Sequence, residues 1–193
     1  MNREIRGGIP AEIRTDDDGT VKVSGYAAVF NDEADIGGMF REVIAPGAFK
    51  DAVGRDDVVF LINHDGLPLA RTRSGTLKLT EDKRGLFIES ELDTSDPDVA
   101  QIIPKMARGD LDKMSFAFSP TVQEWDDSEE IPLRTIVEAS LFDVSIVTSP
   151  AYQGTDIGLR SLEEFRTSRI NFLAGKKRRR MKMDLALKTR VVG

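Results

Sequence analysis

The 193-residue chain has no cysteine and a single histidine, His64. Without cysteine there is no disulfide framework, no thiolate metal cluster and no cysteine nucleophile, a composition that fits a reducing compartment. With one histidine, a helix carrying two His zinc ligands is excluded too. No apolar run approaches the length of a membrane span, and the opening residues Met1-Asn2-Arg3-Glu4-Ile5-Arg6 lack the apolar core of a signal peptide. No G-x-x-x-x-G-K-[ST] pattern is present, so Gly37-Gly38 reads as a flexible loop rather than a phosphate cradle. The open options are a serine or threonine nucleophile with His64 as its base, a carboxylate site, or no catalysis.

The remaining composition is that of an ordinary globular protein, 40% hydrophobic and 31% charged, and the length suits one domain with tails. Its charge is unevenly placed. From Ser161 onward there are ten Lys and Arg against three Asp and Glu, a net of +7, whereas the first 160 residues carry 17 basic and 30 acidic residues, a net of −13. An acidic body with a basic end points to a separate partner site. The expected division is an N-terminal extension over 1–19, a main domain over 20–160 and a helical, basic tail over 161–193.

Hydrophobic period gives the elements. Val21 to Phe30 alternates around Gly25 and reads as a strand with a bulge or a close approach there. Phe40 to Ile44 is a short strand, Ala48 to Val53 one or two helical turns, and Val58 to Ile62 a wholly apolar, buried strand. Thr76 to Thr80 and Gly85 to Leu92 form a hairpin. Ser95 or Asp96 can cap a helix with Pro97 in its first turn, Val99, Ile102, Ile103 and Met106 on one face and Gly109 closing it, and Pro104 can kink it. Met114 to Phe118 alternates, as does Arg134 to Val147 apart from a break at Leu141-Phe142, with a stop at Thr148-Ser149-Pro150. Trp125 precedes an exposed acidic loop, and Arg41-Glu42 reads as a surface ion pair. Many strands with one internal helix suggest a β-rich barrel or sandwich with helices around it.

His64 stands where an apolar strand ends and a turn begins, a position that delivers a side chain to a rim or hydrogen-bonds it within the turn. Ser115 shares a strand face with Ala117, opposite Met114, Phe116 and Phe118. It either borders a cleft as a nucleophile or faces solvent. A nucleophilic serine needs a base, which here is His64, and the base needs an acceptor on its other nitrogen. Glu138, a charge in an apolar stretch, and Asp143 are both candidates. In an unbroken strand they fall on opposite faces.

Five stretches taken together resemble the prohead (capsid maturation) protease family of HK97-type tailed bacteriophages: Gly25-Tyr26-Ala27-Ala28-Val29-Phe30, Arg41-Glu42-Val43-Ile44-Ala45-Pro46-Gly47-Ala48-Phe49, Leu61-Ile62-Asn63-His64-Asp65, Leu111-Asp112-Lys113-Met114-Ser115-Phe116-Ala117-Phe118, and Leu141-Phe142-Asp143-Val144-Ser145-Ile146-Val147-Thr148-Ser149-Pro150-Ala151-Tyr152. They occur in family order across roughly residues 20–160. That family is similar to the herpesvirus assemblins. The resemblance implies a β-rich α+β fold, a closed or nearly closed β-barrel surrounded by helices, with Ser115 as nucleophile and His64 as base. Assemblins use a second histidine as third member. None exists here, and the likeness of Glu138-Ala139-Ser140-Leu141-Phe142-Asp143-Val144 to the corresponding strand puts Glu138 in that role, with Asp143 as second choice. The paired-arginine loop that builds the assemblin oxyanion hole is replaced by Thr148-Ser149-Pro150-Ala151-Tyr152.

The implied activity is serine endopeptidase cleavage of the scaffold, either separate or fused to the N-terminus of the major capsid protein, and of the protease itself, inside the immature capsid in the host cytoplasm. It implies no cofactor, no metal and no membrane partner, and a homodimer or oligomer as a possible assembly. The alternative is a non-enzymatic capsid assembly factor built on the same barrel; the complete Ser, His and acid set argues against it. The acidic body argues against a nucleic-acid-binding role for the basic end.

Overall fold

The computed structural model describes residues 3–15, 20–149 and 155–191, and the chain forms two units, Met1–Thr155 and Asp156–Gly193. In chain order the first unit holds β1 (Glu4–Thr15), β2 (Val21–Val29), β3 (Ala34–Ile36), β4 (Phe40–Ile44), α1 (Lys50–Arg55), β5 (Val59–Ile62), β6 (Asp65–Arg71), β7 (Leu77–Glu81), β8 (Gly85–Leu92), α2 (Pro97–Ala107), β9 (Lys113–Asp126) and β10 (Leu133–Val147). The second unit is carried by α3 (Thr155–Val191), on which Lys176 to Arg180 are exposed. No described helix is long and apolar enough to cross a membrane.

Residues 4–15, expected to lie outside the domain, form a strand inside its sheet. β1 pairs with β2 on one edge and β9 on the other. The order is β3-β4-β10-β9-β1-β2-β8-β7, with β5 on β10 and β6 on β5. The parallel pairs β10–β4 and β10–β5 make the sheet mixed. Among the described residues no backbone pairing joins the ends of this order, so the expected closed barrel is, in hydrogen-bonding terms, an open sheet.

Apolar alternation sets which side is core. Val21, Val23 and Ala27 of β2, Leu86 and Ile88 of β8, Met114, Phe116 and Phe118 of β9 and Phe60 of β5 are all buried in one cluster. Phe49 stands edge-on to Phe116 with centroids 5.7 Å apart, and Val99, Ile102 and Met106 bury the apolar face of α2. Asp96 caps that helix by accepting from the Asp98 N–H at 2.8 Å. Pro104 sits inside a helix that continues to Ala107. The bulge expected at Gly25 falls between Tyr26 and Ala28 instead, where Ala27 and Ala28 are buried in succession.

β10 organises the sheet. Residues 133–136 hold β4 and residues 143–146 hold β5 along one edge, while β9 runs along the other. Its core-facing residues are Ile136, Ala139, Leu141, Val144 and Ile146, a 3-2-3-2 spacing. Pairing with β9 is irregular from Ile136 to Ala139 and shifts by one residue after Leu141, at the two longer steps. The alternation break read at Leu141-Phe142 is therefore a bulge. Asp56, beyond the C-terminus of α1, fixes it by accepting the Leu141 N–H at 2.8 Å. Burial pulls the Asp56 carboxyl upward, but Arg55 and the Leu141 N–H outweigh it and hold it below the usual carboxylate range. β10 ends at Val147; the rest of the expected stop, Pro150 with Ala151 and Tyr152, lies outside the described residues.

Arg41 and Glu42 do not form the expected surface pair. Arg41 bonds Glu33 and Glu129, while Glu42 is buried in a network with Glu4, Arg6 and Arg134. Strand alternation separates the neighbours, sending Glu42 inward and Arg41 outward. Arg134 is fully buried and bonds Glu4 at 2.7 and 2.9 Å and Glu42 at 2.9 Å. Burial alone lowers its hold on the proton, but the two carboxylates reverse that and raise it. Two carboxylates and two guanidiniums cancel, so the network is stable only when complete. Replacing Arg134 with Met leaves two buried carboxylates to share Arg6 alone; a loss of about 3–5 kcal/mol in urea-unfolding stability is expected, and a loss below 1 kcal/mol would show the network to be dispensable.

Candidate active site

β5 ends in a two-residue hairpin loop. Ile62 pairs with Asp65, and the residues between, Asn63 and His64, have φ of 50° and 61°, as in a type I′ turn. The turn thus falls one residue earlier than expected, and β6 begins at Asp65. A left-handed histidine costs of order 1 kcal/mol and persists only when its surroundings fix it. Here β10 does so. Asn63 N–H donates to the Ile146 carbonyl at 3.0 Å, Thr148 N–H donates to Asn63 Oδ1 at 3.1 Å, and His64 N–H donates to Ser145 Oγ at 3.2 Å.

The imidazole then spans two neighbouring strands. His64 Nδ1 lies 2.5 Å from Asp143 Oδ1, and Nε2 lies 2.7 Å from Ser115 Oγ. Ser115, Ser145 and Gly7 are register partners across β9, β10 and β1, so they occupy one row on the sheet face opposite the aromatic core. Ser115 is not solvent-facing as simple alternation allowed. Both faces of β9 are covered from Met114 to Phe118, and Ser115 itself is fully buried.

Asp143, not Glu138, is the carboxylate at His64. The bulge after Leu141 moves Asp143 onto the same non-core side as Glu138, correcting the opposite-face expectation, but the two remain five residues apart, about 16 Å of strand. Asp143 is 2% exposed, beside β5. Glu138 is exposed, near Arg55, whose basicity is raised chiefly by Asp56 and only in small part by Glu138. The signal that could have found Asp143 was the break at Leu141-Phe142, since a bulge there reverses the parity of every later residue.

The Ser115 hydroxyl has one proton and two acceptors, His64 Nε2 and the Arg6 carbonyl at 2.8 Å. With the imidazole neutral and its proton on Nδ1 facing Asp143, Nε2 takes the hydroxyl proton. With both nitrogens protonated, Nε2–H donates to Oγ and the hydroxyl turns to Arg6. The approach of β1 that makes this possible needs a glycine. A Cβ on Gly7 would lie 2.6 Å from Ser115 Cβ and 2.7 Å from the Met114 carbonyl oxygen.

A hydroxyl, an imidazole and a carboxylate in hydrogen-bonded sequence are what serine hydrolases use to activate a nucleophile. Comparison with known proteins agrees with that class. The model of the caudovirus prohead serine protease family matches residues 10–168, and the chain belongs to that family. It is 31% identical over 166 residues to the prohead protease of Enterobacteria phage HK97, covering 82% of this chain and 69% of that protein. No solved structure matches it. The chain is therefore a serine peptidase of phage capsid maturation.

Gly7→Ala is expected to push β1 away from Ser115, lowering stability by about 1–3 kcal/mol and reducing cleavage further than the stability loss accounts for. Thermal melting and an activity assay on the folded variant check this, and wild-type cleavage would mean β1 yields freely.

Proposed function

We propose that the protein is a Ser-His-Asp endopeptidase that cleaves the scaffold segment of the major capsid protein, and its own chain, inside the prohead in the host cytoplasm. The observation carrying this reading is the unbroken link Ser115 Oγ–His64 Nε2 and His64 Nδ1–Asp143 Oδ1, at 2.7 and 2.5 Å. Ser115 Oγ attacks the scissile carbonyl as its proton passes to His64 Nε2. Asp143 holds the proton-bearing Nδ1 and stabilises the imidazolium. His64 then protonates the leaving amine, and water repeats the cycle on the acyl-enzyme. Asp143 takes the role that resemblance gave to Glu138.

The likeness to assemblins further suggests a barrel. In support, β6 and β7, the two ends of the run β6-β5-β10-β9-β1-β2-β8-β7, are joined by residues 72–76 and lie against each other. The exposed cations from Lys176 to Arg180 fit an acidic scaffold segment as partner.

Co-expression with the cognate capsid protein, followed by mass spectrometry, tests the mechanism. Ser115→Ala and His64→Ala are expected to abolish cleavage, Asp143→Asn to lower its rate by roughly 10⁴-fold, and Glu138→Gln to leave it unchanged. Cleavage by Ser115→Ala would move the nucleophile elsewhere, and loss in Glu138→Gln with activity in Asp143→Asn would restore Glu138. Removing residues 176–193 is expected to reduce co-packaging with capsid protein; unchanged packaging would exclude the tail as a docking element.

A further inference from the structure

A buried carboxylate that orients a histidine must itself be oriented, or it turns away from the ring. Asp143 is held from both of its oxygens. Oδ1 accepts from Ser145 Oγ at 3.1 Å as well as from His64 Nδ1, and Oδ2 accepts from Arg3 Nη2 at 2.5 Å. Ser145 is fully buried. Its single hydroxyl proton goes to Asp143 Oδ1, because its other two neighbours, the His64 backbone N–H and the proton-bearing Nδ1, each at 3.2 Å, are donors. One hydroxyl thus ties the carboxylate to the strained turn that presents the imidazole. Arg3 reaches Asp143 from 140 residues away in sequence, its side chain 43% exposed and the carboxylate 3% exposed. It lies outside the residues matched by the family model.

We propose that Arg3 and Ser145 are positioning residues for catalysis, fixing the Asp143 carboxylate so that it meets His64 Nδ1; this rests on the Ser115–His64–Asp143 reading above. Their roles are complementary. Arg3 supplies the counter-charge that a buried carboxylate requires beside a neutral imidazole. Ser145 supplies direction, since a hydroxyl donor on Oδ1 leaves the carboxylate one rotation that also serves Nδ1. Neither touches the scissile bond, so losing either should slow the chemical step without weakening substrate binding.

The test is the kinetics of covalent labelling by a fluorophosphonate probe, which forms a Ser115 O–P bond with loss of fluoride and separates the maximal inactivation rate from probe affinity. Initial rates of capsid-protein cleavage serve as the second readout. Ser145→Ala and Arg3→Gln are each expected to lower the maximal rate roughly tenfold to a hundredfold with affinity unchanged, and Ser145→Thr and Arg3→Lys to recover most of it. Wild-type rates in Ser145→Ala and Arg3→Gln, or losses that the conservative replacements do not rescue, overturn the proposal. If the buried Ser145 variants do not fold, the Arg3 pair decides. Labelling that survives Ser115→Ala would instead sink the underlying nucleophile assignment, so the two failures are distinct.

Discussion

The ion network of Glu4, Arg6, Glu42 and Arg134 is the constraint on which the rest of the site depends. It joins the first strand of the chain to β4 and β10 through charges that have no solvent to fall back on. Charges buried this deeply tolerate little displacement, because each shift exposes an uncompensated partner. Arg6 carries the effect onward. Its guanidinium belongs to the network on one face of β1, while its carbonyl takes the Ser115 hydroxyl. A salt bridge that adds little net stability can still set where a backbone carbonyl sits, and here that carbonyl lies 2.8 Å from the nucleophile candidate.

β10 serves the site in a different way. Five residues of its second half, from Asp143 to Val147, provide the carboxylate at His64, the hydroxyl that holds the turn, the pairing that positions β5 and part of the core. A regular strand cannot show one face to the core near Ile136 and keep Asp143 on the other side beside His64. The irregular pairing from Ile136 to Ala139 and the bulge after Leu141, where β10 gains one residue on β9, resolve that conflict, and Asp56 stabilises the bulge from outside the sheet.

Much of this was legible in the chain. Strands with clean apolar alternation, such as Phe40–Ile44 and Gly85–Leu92, coincide with the expected segments, as does the helix begun by Asp96 and Pro97, because local period and capping decide them. His64 and Ser115 were singled out because a chain with one histidine leaves one base. The carboxylate beside His64 was legible only as one of two, Asp143 standing second to Glu138, which resemblance favoured, because the bulge that sets the side of Asp143 was not read from the sequence. β1 was missed because its Gly7-Gly8 and Pro10 weaken the strand pattern, and beside the neighbouring β2 it is held by β9, more than a hundred residues distant. The burial of Ser115 was missed because alternation describes one strand at a time, whereas its cover comes from a turn after β5 and from β1.

The placement of β1 between β2 and β9 has a consequence for how the molecule is made. Ser115 lies 109 residues from the carbonyl that receives its hydroxyl, and Asp143 lies 79 residues from His64. Pairings over such separations form late, after the loop-closure entropy of the intervening chain has been overcome. A ribosome-bound chain therefore carries Ser115 and the imidazole before the carboxylate and the finished sheet that brings them together. A copy that stops before β10 has neither the carboxylate beside His64 nor the strand that fixes its turn, so the arrangement of Ser115, His64 and Asp143 forms only once synthesis has passed Val147.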